Sequence, residues 1–208
     1  MRRRRRGRRH TRLWRLLFLA VLGWLGWSQV VEPPLTPPRE ATRVFQVILN
    51  AQLQPHRDND GDSFHIAHEG GVHEFRLYFA DCPEKRAYAQ NADRLADQGR
   101  YFGGLSQAQT VAVGQEAAAF TRQLLTTQPF TVHTKWHRVY SSARCYAFVL
   151  FQDGEDLSAK LVRAGLARIH TGGTTLPDGR SPAQYQHQLR ELEAAAKAAG
   201  RGAWGRLR

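Results

Sequence analysis

Ser63-Phe64-His65-Ile66-Ala67-His68-Glu69-Gly70-Gly71-Val72-His73-Glu74-Phe75-Arg76-Leu77-Tyr78-Phe79-Ala80 is the stretch that decides how this chain folds. Ser63 to Ala67 and Val72 to Ala80 are strand-length runs rich in aromatic and aliphatic side chains. Gly70-Gly71 between them is a hairpin signal, because tight two-residue turns need positive φ. Upstream, Val44-Phe45-Gln46-Val47-Ile48-Leu49 predicts an earlier strand. Downstream, Phe130 to Trp136 and Tyr146 to Phe151 predict two more, the latter closed by Asp153-Gly154. Gly114 to Leu125 places its apolar residues on one helical face. Leu157 to Leu166 predicts a second helix behind Asp156 as N-cap. A last helix runs from about Pro182, since proline suits a first turn, to a stop at Gly200. Five short strands, a helix between the third and fourth, and C-terminal helices predict an α+β fold. Its expected form is a five-stranded Greek-key β-barrel of the OB type with about three helices.

Charged residues crowd the ends of these strands. Asp60-Gly61-Asp62 precedes the hairpin, Arg76 lies within it, Asp81-Cys82-Pro83-Glu84 follows it, and Arg144 leads into the last strand. A dense charge cluster among apolar strands costs stability unless it binds something. Asp62, Asp81 and Glu84 are suited to holding a hard cation and positioning a water, while Arg76 and Arg144 are suited to gripping a phosphate through their rigid donor forks. That combination reads as a metal-dependent phosphodiesterase site. Asp60 is expected to be structural, accepting turn hydrogen bonds. The run Asp58-Asn59-Asp60-Gly61-Asp62 is not an EF-hand, because the register with Gly61 sixth puts His56 first and Ala67 twelfth. His65, His68 and His73 are expected on the hairpin surface, and no thiolate or imidazole set points to zinc. Cys82 and Cys145 are the two cysteines of the chain, each beside a site residue. A disulfide between them is left open.

The formal charge of +12 is unevenly spread. Nine arginines fall in the first 15 residues, leaving 21 basic against 18 acidic residues, or +3, for the remainder. The body is therefore only mildly basic, and a grip on nucleic acid through many phosphate contacts is not implied for it. After the arginines comes the apolar run Leu16 to Trp27, which with Val30 and Val31 reaches roughly 16 residues, short of the roughly 20 of a full membrane span. Basic residues before an apolar stretch suit a secretory signal or signal anchor. Ser28-Gln29-Val30-Val31-Glu32 offers no small-x-small cleavage site, so an uncleaved anchor is preferred to a cleaved signal. The expected organisation is a basic tail and apolar helix over 1–31, a stiff proline-rich linker over 32–42, and one folded domain over 43–208. The positive-inside rule then places that domain outside the cytoplasm, or secreted if the segment is cleaved.

The ordered motifs carry a family likeness. Asp60-Gly61-Asp62-Ser63, Arg76-Leu77 to Asp81-Cys82-Pro83-Glu84, Gly114-Gln115-Glu116-Ala117, Arg144-x-x-Ala147-Phe148, Leu161 to Ala167, Glu193-x-x-Ala196-Lys197 and Gly202-Ala203-Trp204-Gly205 resemble the staphylococcal nuclease (thermonuclease) family over roughly residues 43 to 205. The resemblance implies an OB barrel and a calcium-dependent hydrolase acting on DNA, RNA or both and leaving 3′-phosphates. It implies that Asp62, Asp81 and the Cys82 carbonyl ligate calcium, that Glu84 activates water, and that Arg76 and Arg144 bind the phosphate and stabilise its transition state. A nucleic-acid substrate and a membrane contact through the N-terminal segment are the implied partners, with a monomer expected and no protein partner. The alternative is a non-catalytic barrel of the same ancestry that binds nucleic acid or protein. Cys82 stands where the family has threonine, Tyr140-Ser141-Ser142-Ala143 lacks the usual Tyr-Gly lead-in, and His170-Thr171-Gly172-Gly173 replaces tyrosines that some relatives pack on a nucleotide. The connection from Lys85 to Val113 is long, and Asn91 to Tyr101 predicts an added helix over the rim of the site.

Overall fold

In the computed structural model, residues 44–170 and 172–206 are described. The apolar helix expected within 1–31 and the linker expected over 32–42 lie outside them. Among the described residues, no helix is long and apolar enough to cross a membrane.

The central hairpin forms as expected. β3 (Ser63–His68) and β4 (Gly71–Leu77) are antiparallel across a Glu69-Gly70 turn, with Gly71 at φ 106°. Ahead of it lie β1 (Gln46–Ile48) and the two-residue β2 (Gln52–Leu53). After β4 the chain turns through Phe79, at φ 64°, into the short β5 (Ala80–Asp81). The long connection folds into α1 (Ala92–Tyr101), as predicted, and then α2 (Gln107–Thr127). α2 starts seven residues before Gly114 because Ser106 and Gln109 form a reciprocal capping box at its N-terminus. β6 (Phe130–Arg138), β7 (Cys145–Phe151), α3 (Leu157–Arg163), β8 (Arg168–Ile169) and α4 (Pro182–Ala198) complete the order. Asp156 caps α3, accepting from the Ala159 amide, and Ser181 with Gln184 caps α4.

The strands build a mixed six-stranded sheet in the order β1-β6-β7-β4-β3-β2, with β4 and β7 parallel and the other neighbours antiparallel. β5 and β8 pair separately. The expected five-stranded barrel is thus corrected in part: among the described residues the sheet has six strands, β1 and β2 at its two ends share no ladder, and the four α-helices are the three expected and the one predicted in the long connection. The extra pieces are a two-residue strand and a helix grown from the long connection, neither of which changes the α+β class. The core packs one face of the sheet under α2, α3 and α4. Phe64, Phe75, Leu77, Phe148 and Tyr185 are buried there, and Phe79 meets Tyr185 edge-on at 5.0 Å.

One carboxylate in that core makes stability depend on pH. The Tyr185 hydroxyl lies 2.6 Å from both carboxylate oxygens of Asp156. Burial raises the Asp156 pKa above its ordinary value, and the hydrogen bonds from Tyr185 and Ala159 offset this only in part. A raised folded-state pKa means that the Asp156 contribution is fully present below the unfolded-state pKa and is lost as pH rises through the folded one. Asparagine retains the cap and stays neutral. Asp156→Asn is therefore expected to gain in urea midpoint relative to the parent as pH rises from about 4 towards 8. A midpoint difference constant across that range would contradict it.

Candidate active site

Strand register assembles the site. Ser63 pairs with Arg76 across β3 and β4, Arg76 with Tyr146 across the parallel β4 and β7, and Asp81 with Arg168 across β5 and β8. Phe75 and Leu77 of β4 enter the core, so alternation sends Arg76 to the opposite face. Asp62 and Asp81 close over it there. Asp60 acts in the turn as expected, its Oδ1 accepting from the amides of Asp62 at 3.3 Å and Ser63 at 2.8 Å. Asp62 Oδ2 accepts from the Cys82 amide at 2.5 Å, which ties the turn to the segment after β5. Two glycines allow the close approach. A Cβ on Gly61 would lie 2.6 Å from Cys82 Sγ and 2.7 Å from Ala117 Cβ, and one on Gly114 would lie 2.4 Å from the Pro83 carbonyl oxygen. Without them, α2 could not rest against Pro83-Glu84.

The polar contacts form one network. Arg76 Nη1 lies 3.0 Å from Asp62 Oδ1, and its Nη2 donates to Asp81 Oδ1. Arg94, from α1, places Nη2 at 2.7 Å from Asp81 Oδ1 and Nε at 2.8 Å from Glu84 Oε1. Arg168 Nε lies 2.6 Å from Asp81 Oδ2. Gln98 Nε2 donates to Asp81 Oδ2 at 3.2 Å and to the Cys82 carbonyl at 3.0 Å, and Gln98 Oε1 accepts from the Glu84 amide at 3.1 Å. Ser63 Oγ accepts from Arg76 Nη1 at 3.3 Å and from Arg144 Nη1 at 3.5 Å. Arg144 makes no ion pair among the described residues, whereas Arg76, Arg94 and Arg168 all pair with acids. Asp62, Arg76, Asp81, Cys82, Glu84 and Arg144, named from the sequence, thus stand in one neighbourhood.

Arg94, Gln98 and Arg168 were not anticipated. Arg168 follows directly on the Leu161 to Ala167 segment, so its nearness to that motif was one signal. Arg94 and Gln98 are spaced i,i+4 on the predicted rim helix, so projecting that helix onto one face was another. The hairpin histidines pair among themselves, with His68 Nε2 2.8 Å from His73 Nδ1, and His65 Nδ1 lies 2.8 Å from Asn59 Oδ1.

The two aspartates differ electrostatically despite similar burial. For Asp62, 1% exposed, burial outweighs Arg76 and drives the pKa well above the ordinary carboxylate range. For Asp81, 2% exposed, burial pushes the same way, but the guanidinium groups of Arg76, Arg94 and Arg168 outweigh it and hold the pKa below that range. Burial, then Asp62, pushes the Cys82 thiol far up, so it is not a nucleophile at neutral pH. Cys82 and Cys145 are both free and buried, so the disulfide left open from the sequence is not formed.

The donor set suits calcium by type. Asp62, Asp81 and the Cys82 carbonyl are hard oxygens, the class that calcium takes in sixes to eights with irregular geometry. Two side chains already bridge pairs of them, Arg76 between Asp62 and Asp81 and Gln98 between Asp81 and the Cys82 carbonyl. In this conformation the acceptors are held by N–H donors, and among the described residues no group of three His, Cys, Asp or Glu stands ready to hold a metal.

No curated protein matches the chain. The family model described as staphylococcal nuclease homologue matches residues 74–206, from β4 to the end of the last turn. That span takes in Arg76, Asp81, Cys82, Glu84 and Arg144, the hairpin register sets Ser63 against Arg76, and the Asp62 carbonyl accepts from the Leu77 amide at 2.8 Å. On this match, covering well over half of its length, the chain belongs to the staphylococcal nuclease homologue family.

Proposed function

We propose that this chain hydrolyses phosphodiester bonds in DNA, RNA or both, with Glu84 as general base, Arg76 and Arg144 as phosphate ligands, and Asp62, Asp81 and the Cys82 carbonyl as calcium ligands. One observation carries the reading. Arg144 and Arg76 both reach Ser63 Oγ, and Arg144 has no acid partner among the described residues. A half-buried guanidinium with no carboxylate beside an acidic cluster is available for an anion.

In this scheme, Arg76 and Arg144 hold the non-bridging oxygens of the scissile phosphate. Arg76 is held by Asp62 and Asp81, and donors of this kind stabilise negative charge as it grows at phosphorus. Glu84 takes a proton from the attacking water, whose oxygen bonds to phosphorus. The bond to the 5′ oxygen breaks, that oxygen takes up a proton, and a 3′-phosphate remains. Asp62 and Asp81, with the Cys82 carbonyl, would hold calcium, which would neutralise a phosphate oxygen and acidify a bound water. Arg94 Nε holds one of the two Glu84 carboxylate oxygens, Oε1.

The arginine-rich tail and the apolar run after it support placing the domain outside the cytoplasm on a membrane anchor, or secreted. The test is incubation of the full chain with single-stranded and duplex DNA and RNA, with calcium or with chelator. Cleavage abolished by chelator is the expected result. Tight binding without cleavage would instead identify a non-catalytic binding module.

A further inference from the structure

α1 closes the site with one helical face. Arg94 and Gln98, one turn apart, make five contacts, four of them donated into the site: Arg94 to Asp81 and Glu84, and Gln98 to Asp81 and the Cys82 carbonyl. In the fifth, Gln98 Oε1 accepts from the Glu84 amide, which keeps α1 docked. Every acceptor used by the four donated contacts is an oxygen that the reading above gives to a cation or to the attacking water. Gln98 is fully buried.

The acids and guanidinium groups in direct contact are matched in number. Asp62, Asp81 and Glu84 face Arg76, Arg94 and Arg168, three of each. A divalent ion added to that set brings positive charge that the acids do not compensate into a buried place, which is costly. If one arginine withdraws, acids outnumber guanidinium groups and a cation is accommodated at less cost. The arginine able to withdraw is identified by exposure: the Arg94 side chain is 42% exposed, while those of Arg76 and Arg168 are 10% exposed.

We propose that Arg94, docked through Gln98 on α1, is a built-in competitor for the divalent cation, occupying Asp81 and Glu84 until the cation displaces it. This rests on the reading of Asp81 and the Cys82 carbonyl as cation ligands. Arg94 then sets how much calcium the protein requires and couples cation entry to the release of Glu84, since one guanidinium holds both carboxylates. Loading the site frees the base.

The experiment is isothermal titration of the full chain with calcium, without nucleic acid, for the parent, Arg94→Ala and Arg94→Met. Methionine preserves the packed stem of Arg94, so the pair of variants separates loss of the guanidinium from loss of packing. Melting temperature in chelator checks that each is folded. The expected result is calcium binding at least tenfold tighter in both variants than in the parent. Affinity within twofold of the parent, weaker affinity, or no binding by any of the three overturns the proposal. Cleavage of single-stranded DNA at saturating calcium is measured alongside. Cleavage by the parent with unchanged affinity in the variants removes the competitor and leaves the nuclease reading. Tighter binding in the variants without cleavage by any chain sustains the competitor and removes the nuclease reading.

Discussion

Glu84→Gln is expected to lower the rate of phosphodiester cleavage by about 10²- to 10⁴-fold, the range that a general base contributes. The substitution removes the proton acceptor and little else. Glutamine keeps an oxygen for Arg94 Nε, now 2.8 Å from Glu84 Oε1, and leaves the backbone amide bonded to Gln98. The Glu84 side chain is partly exposed, and an ion pair of that kind contributes at most about 1 kcal/mol to stability. The signature is therefore a fall in kcat with KM and melting temperature little changed. Cleavage within a few-fold of the parent would show that another group takes the proton.

Arg76→Ala has a different signature, because Arg76 bridges two buried acids. Its guanidinium faces Asp62 and Asp81 with the side chain 10% exposed. Removing one member of a buried ionic cluster leaves its partners uncompensated and costs about 3–5 kcal/mol. For a domain of this size that corresponds to a fall in melting temperature of about 6–20 °C. The loss should depend on pH. Without Arg76, both carboxylates lose a charge that favours their ionised form, so their folded pKa values rise. Stability from a raised carboxylate is present at low pH and disappears as pH climbs through the folded value. The deficit is thus expected to be larger at pH 8 than at pH 5, and adding Asp62→Asn should recover part of it. Urea melts at the two pH values measure this, and an equal deficit at both would show that Arg76 acts through packing. Cleavage should fall as well, through the phosphate contact proposed for Arg76.

The features legible in the sequence were those with enough residues to show a period. The β3–β4 hairpin, β6, β7 and three helices each span six residues or more, and their apolar positions declare a buried face. Charge standing against that background marked Asp62, Arg76, Asp81, Glu84 and Arg144. β2, β5 and β8, of two residues each, have no period to detect, and their pairing is decided by the tertiary fold. Arg168 went unseen for that reason. It reads as one more cation after a helix until β8 is laid beside β5. The expected strand Val44 to Leu49 shortened to three residues because β1 is an end strand with β6 as its single neighbour, which leaves Val47 and Leu49 exposed. Barrel closure was inferred from strand number, and number alone does not say whether the end strands meet.

The union of β5 with β8 also sets when the charged cluster is completed. Asp81 and Arg168 are partners in register, yet they stand 87 positions apart along the chain. Contacts so distant along the chain form late, after the intervening loop has been closed. A growing polypeptide therefore displays its acidic turn and first arginine well before the last guanidinium of the cluster has been synthesised. A half-made copy carries Asp81 without one of the charges that hold it in the folded protein.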